Sequence, residues 1–465
     1  MANTQTSDFS KGSVAGNILR LAVPMTVAQL INVLYSVVDR MYIGRLPDAA
    51  GNALTGLGLT FPIISIVTAF ANLYGMGGSP LFSIERGRGN LDKTRTIMGN
   101  TFALLLGTGV VLTVVILLIK RPLLYAFGAS DATYPYANSY ISIYLCGSIF
   151  VMISLGMNQF INAQGFGRKG MLTVLIGAVT NIVLDPIFIF LLHMGVQGAA
   201  LATILSQFLS ALWAVSFLRG KKALIRLEWS AMKLQPRLVW KIIGLGFSSF
   251  VMAITNSIVQ VACNSTLQVF GGDLYVGVMT IINSVREVVS TPINGVTSAA
   301  QPVMGFNYGA QQYKRVRTGI LFTTIVCVVY TTVVWLLLFL FPRFFIGLFS
   351  GETALREATV PSMHIYFFGF FMMSLQMAGQ SAAVALGRSK QAVFFSLFRK
   401  VVIVAPLTLL LPHLFGLGVT GVFLAEPISN FIGGSACYIT MLLTIWREMV
   451  RKERETAPKP VQQRP

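Results

Sequence analysis

Two acids stand inside stretches that are otherwise apolar: Asp39 in VLYSVVDRMYIGRL and Asp185 in TNIVLDPIFIF. A charge at the centre of a bilayer costs about 2.5–3.5 kcal/mol on insertion scales, so each needs a partner or a task. On a helix, Asn32, Tyr35 and Asp39 share one face at i, i+3 and i+7, and Asn181 lies one turn before Asp185. Two desolvated carboxylates close together suit proton exchange near neutral pH. With amide and hydroxyl oxygens beside them they equally suit a Na⁺ ion. Depth supports a meeting: at 1.5 Å per residue, Asp39 lies about 30 Å and Asp185 roughly 25 Å along spans that start on the same side. Thr203 and Tyr140 lie about 10 Å in from the opposite side, so all four reach one half of the membrane. The competing readings are local: Asp39 as an interfacial partner of Arg40 or Arg45, and Asp185 as a stabiliser of the Pro186 kink.

The second half of the chain holds a different set: Arg286, Glu287, Arg399, Lys400 and Glu426. Neighbouring helical residues point about 100° apart, so Arg286 and Glu287 do not satisfy each other alone. An ion pair between bundles and a substrate or gating role stand level for them, and Glu426 before Pro427 reads as structural. Met252, Met279 and Met373 offer flexible thioethers to ligands of varied shape, although ordinary packing uses the same side chains. His193 and His413 fall in loops and read as solvated.

Helices must position these groups. Apolar segments recur near 18–40, 53–78, 96–118, 134–160, 167–192, 196–218, 239–268, 275–300, 316–342, 361–385, 390–412 and 417–446. Each is long enough to cross roughly 30 Å of hydrocarbon as a helix, where exposed backbone finds no partner. Only 11% of the 465 residues are charged and mean hydropathy is +0.71, too little charge to cover a soluble protein of this length. The net charge of +19 does not indicate nucleic acid. With a cytoplasmic N-terminus, 26 of the 35 Lys and Arg fall in inner loops, and that bias puts both termini in the cytoplasm. Cys146, Cys263, Cys327 and Cys437 all fall within spans and read as packing residues.

The halves repeat. SPLFSIERGRGNLDKTRT (79–96) matches QPVMGFNYGAQQYKRVRT (301–318), which sets Pro80 on Pro302 and Gly87 on Gly309. SIYLCGS (142–148) matches HIYFFGF (364–370), and GVQGAALA (195–202) matches GVTGVFLA (418–425). Six spans per half is an even number, so the repeat is parallel and suits two bundles rocking about a shared cavity. The expected order is an N-terminal segment 1–17, an N-lobe 18–218, a polar linker 219–238, a C-lobe 239–446 and a basic, disordered tail 447–465.

Pro24 with VDRMYIGRL, NIVLDPIFIF and GVQGAALAT together resemble the MATE (multidrug and toxic compound extrusion) transporters, nearest their MepA-like and DinF-like bacterial branches. The likeness runs from about residue 15 to 446. It implies an all-α integral membrane protein with twelve transmembrane helices in two pseudo-symmetric six-helix lobes around a central cavity. It also implies a secondary active exporter of cationic, amphipathic compounds driven by H⁺ or Na⁺, resident in the cell membrane, functional as a monomer, with no cofactor and no nucleic-acid partner. Asp39, Asn181, Asp185 and Thr203 then form the coupling-ion site, with Tyr35 and Tyr140 as neighbours. Another branch places acids in spans 7 and 10, where this chain has none. Asn158 matches a cavity position of the family, and the expected cavity set is Asn32, Asn158, Met252, Met279, Arg286, Glu287 and Met373. Pro24 lacks the N–H for an internal helix bond and is the expected hinge, bending as an ion binds. The main alternative is a flippase of lipid-linked saccharides, which needs a basic cavity that only Arg286, Arg399 and Lys400 could furnish. An enzyme is disfavoured, since no metal cluster or nucleophile motif has convincing spacing.

Overall fold

The computed structural model describes residues 9–43, 50–349, 352–414 and 416–456, without the side chains of 36, 37, 40, 41, 43 and 50–54. Within these residues the regular structure is all helical, with no strand. The first helices are α1 (Val14–Ile43), α2 (Ala50–Gly87), α3 (Leu91–Ala126), α4 (Tyr134–Cys146), α5 (Ser148–Ala163), α6 (Gly167–Pro186) and α7 (Gly195–Arg219). Then come α8 (Pro236–Gly309), α9 (Tyr313–Leu340), α10 (Pro342–Gly347), α11 (Thr353–Tyr366), α12 (Phe370–Ala385) and α13 (Ser389–Leu397). The last are α14 (Ala405–Leu410), α15 (Val419–Ser429), α16 (Ser435–Met441) and α17 (Arg447–Thr456). Gly272, at φ +65° and ψ −165°, is non-helical and divides α8 into limbs 236–271 and 273–309.

Nine helices among the described residues are long and apolar enough to cross a bilayer, and the bent pairs α4/α5 (55°) and α11/α12 (51°) add two. Dividing α8 at Gly272 brings the spans to the twelve expected, in the expected order. The sequence repeat recurs in the backbone. Both bent pairs break at aligned glycines, Gly147 and Gly369. Gly165 (φ +92°) and its counterpart Gly387 (φ +76°) both take the left-handed turn that glycine alone adopts without strain. Proline interrupts helices without ending them, as at Pro24, Pro80, Pro302 and Pro361. Packed neighbours in a membrane bundle absorb the freed carbonyls.

The chain forms two compact units. The first gathers Arg20–Phe82 and Asn90–Ile254, and the second Asp8–Leu19, Ser83–Gly89 and Thr255–Pro465. The division therefore falls inside α8 and not at the linker 219–238. Glycine explains this: a Cβ on Gly246 would sit 1.7 Å from the Leu73 carbonyl oxygen, and one on Gly77 2.1 Å from that of Ile242. Bare backbones touch there, and the Phe70 and Phe250 rings meet at 5.1 Å, so the start of α8 packs with α2.

The linker 219–238 is held by side chains of the first unit, and one expectation, the disordered tail, needs correction. Asn100 donates to the carbonyls of Ala231 and Lys233 and accepts from the Gln235 N–H, while Gln164 clasps both backbone groups of Ile225. Ala223, Ile225 and Leu227 are buried beneath it. The tail is not disordered over 447–456: it forms α17. Lys452 pairs with Glu448 at 2.7 Å one turn apart, Arg317 of α9 reaches Glu453 at 2.7 Å, and Arg388 pairs with Glu448. Opposite charges at helical spacing and a facing helix order what composition alone marked as solvated. Residues 457–465 lie outside the described residues.

Candidate functional site

Asn181 and Asp185 sit on one face of α6, both fully buried at 0% exposure. Asn181 Nδ2 donates to Asp185 Oδ1 at 3.2 Å and to Thr203 Oγ1 of α7 at 3.4 Å. Small residues bring α7 this close. A Cβ on Gly198 would meet the Phe188 carbonyl carbon at 2.7 Å, and Ser210 Oγ donates to the Thr173 carbonyl at 2.9 Å. Asp185 is followed by Pro186 and then by a π-helical turn, Ile187–Leu191. Such bulges widen a helix and re-aim its side chains.

From α1, the buried Asp39 carboxyl comes within interaction distance of the Asp185 carboxyl. Tyr35, one turn earlier, reaches the Thr203 hydroxyl, and so does Tyr140 of α4. The Tyr140 ring stacks on Tyr144 at 6.2 Å, and both tyrosines are buried. Asn181 Oδ1 and Asp185 Oδ2 are buried and accept no hydrogen bond from a described residue. The cluster is thus rich in oxygen acceptors and short of donors. One proton shared by the carboxyls, or one hard cation among the oxygens, would complete it. Among the alternative partners for Asp39, the Arg40 side chain and Arg45 lie outside the described residues.

A cavity of about 160 Å³ adjoins this cluster in the first unit. Gln29, Asn32, Tyr35, Asn158, Asn162 and Gln207 supply its polar wall. Tyr35 belongs to both the cavity and the acidic cluster. Asn158 Oδ1, Asn162 Oδ1 and Gln207 Oε1 are buried without a hydrogen-bond donor among the described residues. The missing Cβ of Gly170 keeps the space open, since it would lie 2.2 Å from Asn162 Oδ1. Pro24 is buried in α1 against Gly167, the first residue of α6.

Other sequence candidates lie elsewhere. Met279 and Met373 are buried in the apolar core of the second unit, and Met252 is half-buried and off the cavity wall. Arg286 is engaged within the second unit: Nη1 donates to Tyr366 Oη at 2.7 Å and Nη2 meets Glu426 Oε1 at 3.3 Å. Arg399 and Lys400 converge on the same carboxylate at 3.2 and 3.3 Å. Glu287 is exposed and takes no part in this group. The site residues not singled out from the sequence include Tyr144, Gln29, Asn162 and Gln207. Tyr144 follows Tyr140 by four, a spacing that could have flagged it. The amides carry no such mark, because isolated Asn and Gln in apolar helices more often join helices together.

The model of one family, MatE, matches residues 24–187 and again 248–410, once in each half. The chain belongs to the MatE family. It is therefore a membrane transporter and not an enzyme. MatE relatives extend over nearly all of it. The multidrug export protein MepA of Staphylococcus saprophyticus is 24% identical over 450 residues, 96% of either chain. The MepA of Staphylococcus aureus strain MRSA252 is 22% identical over 448 residues, again 96% of each. Among solved structures, the outward-facing conformation of a multidrug resistance MATE family transporter of the MOP superfamily has a TM-score of 0.89 at 22% identity, covering 98% of this chain and 100% of that one. A MOP superfamily transporter from Pyrococcus furiosus has the same TM-score and identity, with 97% and 100% covered. These likenesses make the MatE fold secure, in a multi-pass protein of the cell membrane.

Proposed function

We infer that this protein is a secondary active multidrug exporter that expels cationic, amphipathic compounds in exchange for H⁺ or Na⁺. Its curated relatives are multidrug export proteins, which supports the substrate class. One observation carries the coupling: Asp39 and Asp185 meet at a donor-poor cluster, and Tyr35 links that cluster to the cavity. The repulsion of two adjacent buried carboxylates is relieved by one proton or one Na⁺. The amide oxygens of Asn158, Asn162 and Gln207 suit the N–H groups of a cationic guest.

The cycle follows from this arrangement. With the acids empty, their negative field favours a cation in the neighbouring cavity. An ion entering from outside cancels that field and draws Asp39, and with it α1, toward Asp185. Pro24 supplies the point at which α1 bends, and the cavity lined by Asn32 and Tyr35 contracts, so the guest leaves outward. Both termini face the cytoplasm in this scheme, a placement that the distribution of Lys and Arg supports. Replacing Asp39 and Asp185 together by Asn is the direct test. Ethidium efflux falls to the level of cells lacking the protein while membrane expression persists; unimpaired efflux by the double variant would remove the mechanism.

A further inference from the structure

Inside the second unit, three cations share a single carboxylate. Glu426 Oε1 meets Arg286 at 3.3 Å and Arg399 at 3.2 Å, while Oε2 meets Lys400 at 3.3 Å. The remaining contacts of Arg286 and Arg399 are neutral, to the Tyr366 hydroxyl and to Asn430 Oδ1. The side chains of Glu426, Arg399 and Lys400 are only 7%, 6% and 5% exposed. Buried charges persist when they are paired, and removing water from an unpaired one costs several kcal/mol. With Lys400 protonated the group carries two positive charges more than its carboxylate balances, and with Lys400 neutral it still carries one. Glu287 does not supply the balance, because it forms no ion pair with a described residue and is exposed on a different face of its helix.

Arg286 is the open member, with 25% of its side chain exposed. Asn283 and Ser290 stand on the same face of the limb 273–309, at i−3 and i+4. Asn283 Nδ2 and Ser290 Oγ are both buried and have no hydrogen-bond partner among the described residues. The serine is unusual, since nearby Thr291 and Thr297 satisfy their hydroxyls on the carbonyl four residues back. A surplus of buried positive charge flanked by idle donors has the chemistry of an anion site, inverse to the donor-poor acidic cluster of the first unit.

We propose that the second unit binds a compact anionic group, a small monovalent anion or the carboxylate of an amphipathic ligand, at Arg286 between Asn283 and Ser290. Arg286, Asn283 and Ser290 donate to it, and its charge offsets the excess held by Arg399 and Lys400. Such a site extends the transported compounds from cations to zwitterions, or makes a co-bound anion part of the folded protein. It is independent of the ion-coupling assignment at Asp39 and Asp185, and its test needs no transport.

The purified full-length protein in uncharged detergent is heated in sodium chloride, sodium acetate or sodium gluconate at equal ionic strength and pH. Chloride and acetate raise the unfolding midpoint above that in gluconate, and the effect saturates. Glu426→Gln, which leaves the cations unopposed, shows a larger gain from chloride than the unaltered protein. Arg286→Gln needs at least tenfold more chloride for half the effect. A dye bearing one carboxylate separates the two sources. Displacement of bound chloride assigns the site to a ligand's anionic group, and failure to displace assigns it to the free ion. Equal midpoints in all three salts, for both the unaltered protein and Glu426→Gln, overturn the proposal. Crystals grown in bromide give a check without variants: an anomalous peak beside the Arg286 guanidinium is expected, and its absence there overturns the site.

Discussion

Asp39 and Asp185 bring two buried carboxyls together in the first unit, and two carboxylates held that close repel each other less once a proton or a cation is shared between them. Asn181 and Thr203 hold the geometry but supply little charge, since Asn181 spends its donors on Asp185 Oδ1 and Thr203 Oγ1. Their substitutions should therefore rank. Asp39→Asn or Asp185→Asn lowers the rate of ethidium efflux at least tenfold. Thr203→Val, which removes one hydroxyl near Asn181, Tyr35 and Tyr140, costs about 1 kcal/mol per hydrogen bond lost and lowers the rate severalfold. Initial efflux rates at matched expression measure both. Much of this cluster was legible in the sequence, because a charge in an apolar helix is conspicuous and its depth follows from the rise per residue. The amides Gln29, Asn162 and Gln207 were not legible. Their role rests on which helix faces which, a fact carried by contacts such as Gly170 on Asn162 and by no local pattern.

Helices pack here by omitting side chains at crossings. In the second unit, a Cβ on Gly87 would lie 2.0 Å from the Phe306 carbonyl oxygen, and one on Gly309 would lie 2.0 Å from that of Ile84. Gly87 and Gly309 are repeat partners, and so are Ile84 and Phe306, so the ends of α2 and α8 cross with the symmetry of the repeat itself. Alanine at either position separates the two backbones. Gly87→Ala and Gly309→Ala each destabilise the purified protein by about 1–3 kcal/mol, read as a lower unfolding midpoint in detergent. Asn100 has an analogous task for the linker. Asn100→Ala removes three hydrogen bonds and speeds proteolytic cleavage within 219–238 several times over. The sequence marked that linker by its polarity, but hydrogen bonds from Asn100, more than a hundred positions away, are not a feature of composition. The same holds for α17, whose basic sequence reads as solvated until Arg317 and Arg388 are seen against its acids.

At the scale of the molecule, one duplicated plan carries two opposite electrostatic sites. The first unit concentrates acceptors around Asp39 and Asp185, and the second concentrates donors around Glu426. The duplication was visible in the sequence and recurs in the backbone at Gly147 with Gly369 and at Gly165 with Gly387. The difference in charge was visible only as separate residues. Arg286 invited comparison with adjacent Glu287, whereas its partner is Glu426, on a helix far along the chain. The energy available to drive export is about 1.4 kcal/mol per tenfold ion gradient and about 2.3 kcal/mol per 100 mV for each charge moved. One ion exchanged for one monovalent cation moves no net charge, so a tenfold ion gradient sustains about a tenfold gradient of the dye, and the potential adds to it when more than one ion enters per cation expelled. The most direct measurement is dye export by the purified protein in liposomes under separately imposed H⁺ and Na⁺ gradients, beside the Asp39→Asn, Asp185→Asn double variant. The unaltered protein should move dye against its gradient under at least one of the two, and the double variant under neither. Equal gradient-driven export by both proteins would contradict the assignment of coupling to these two acids.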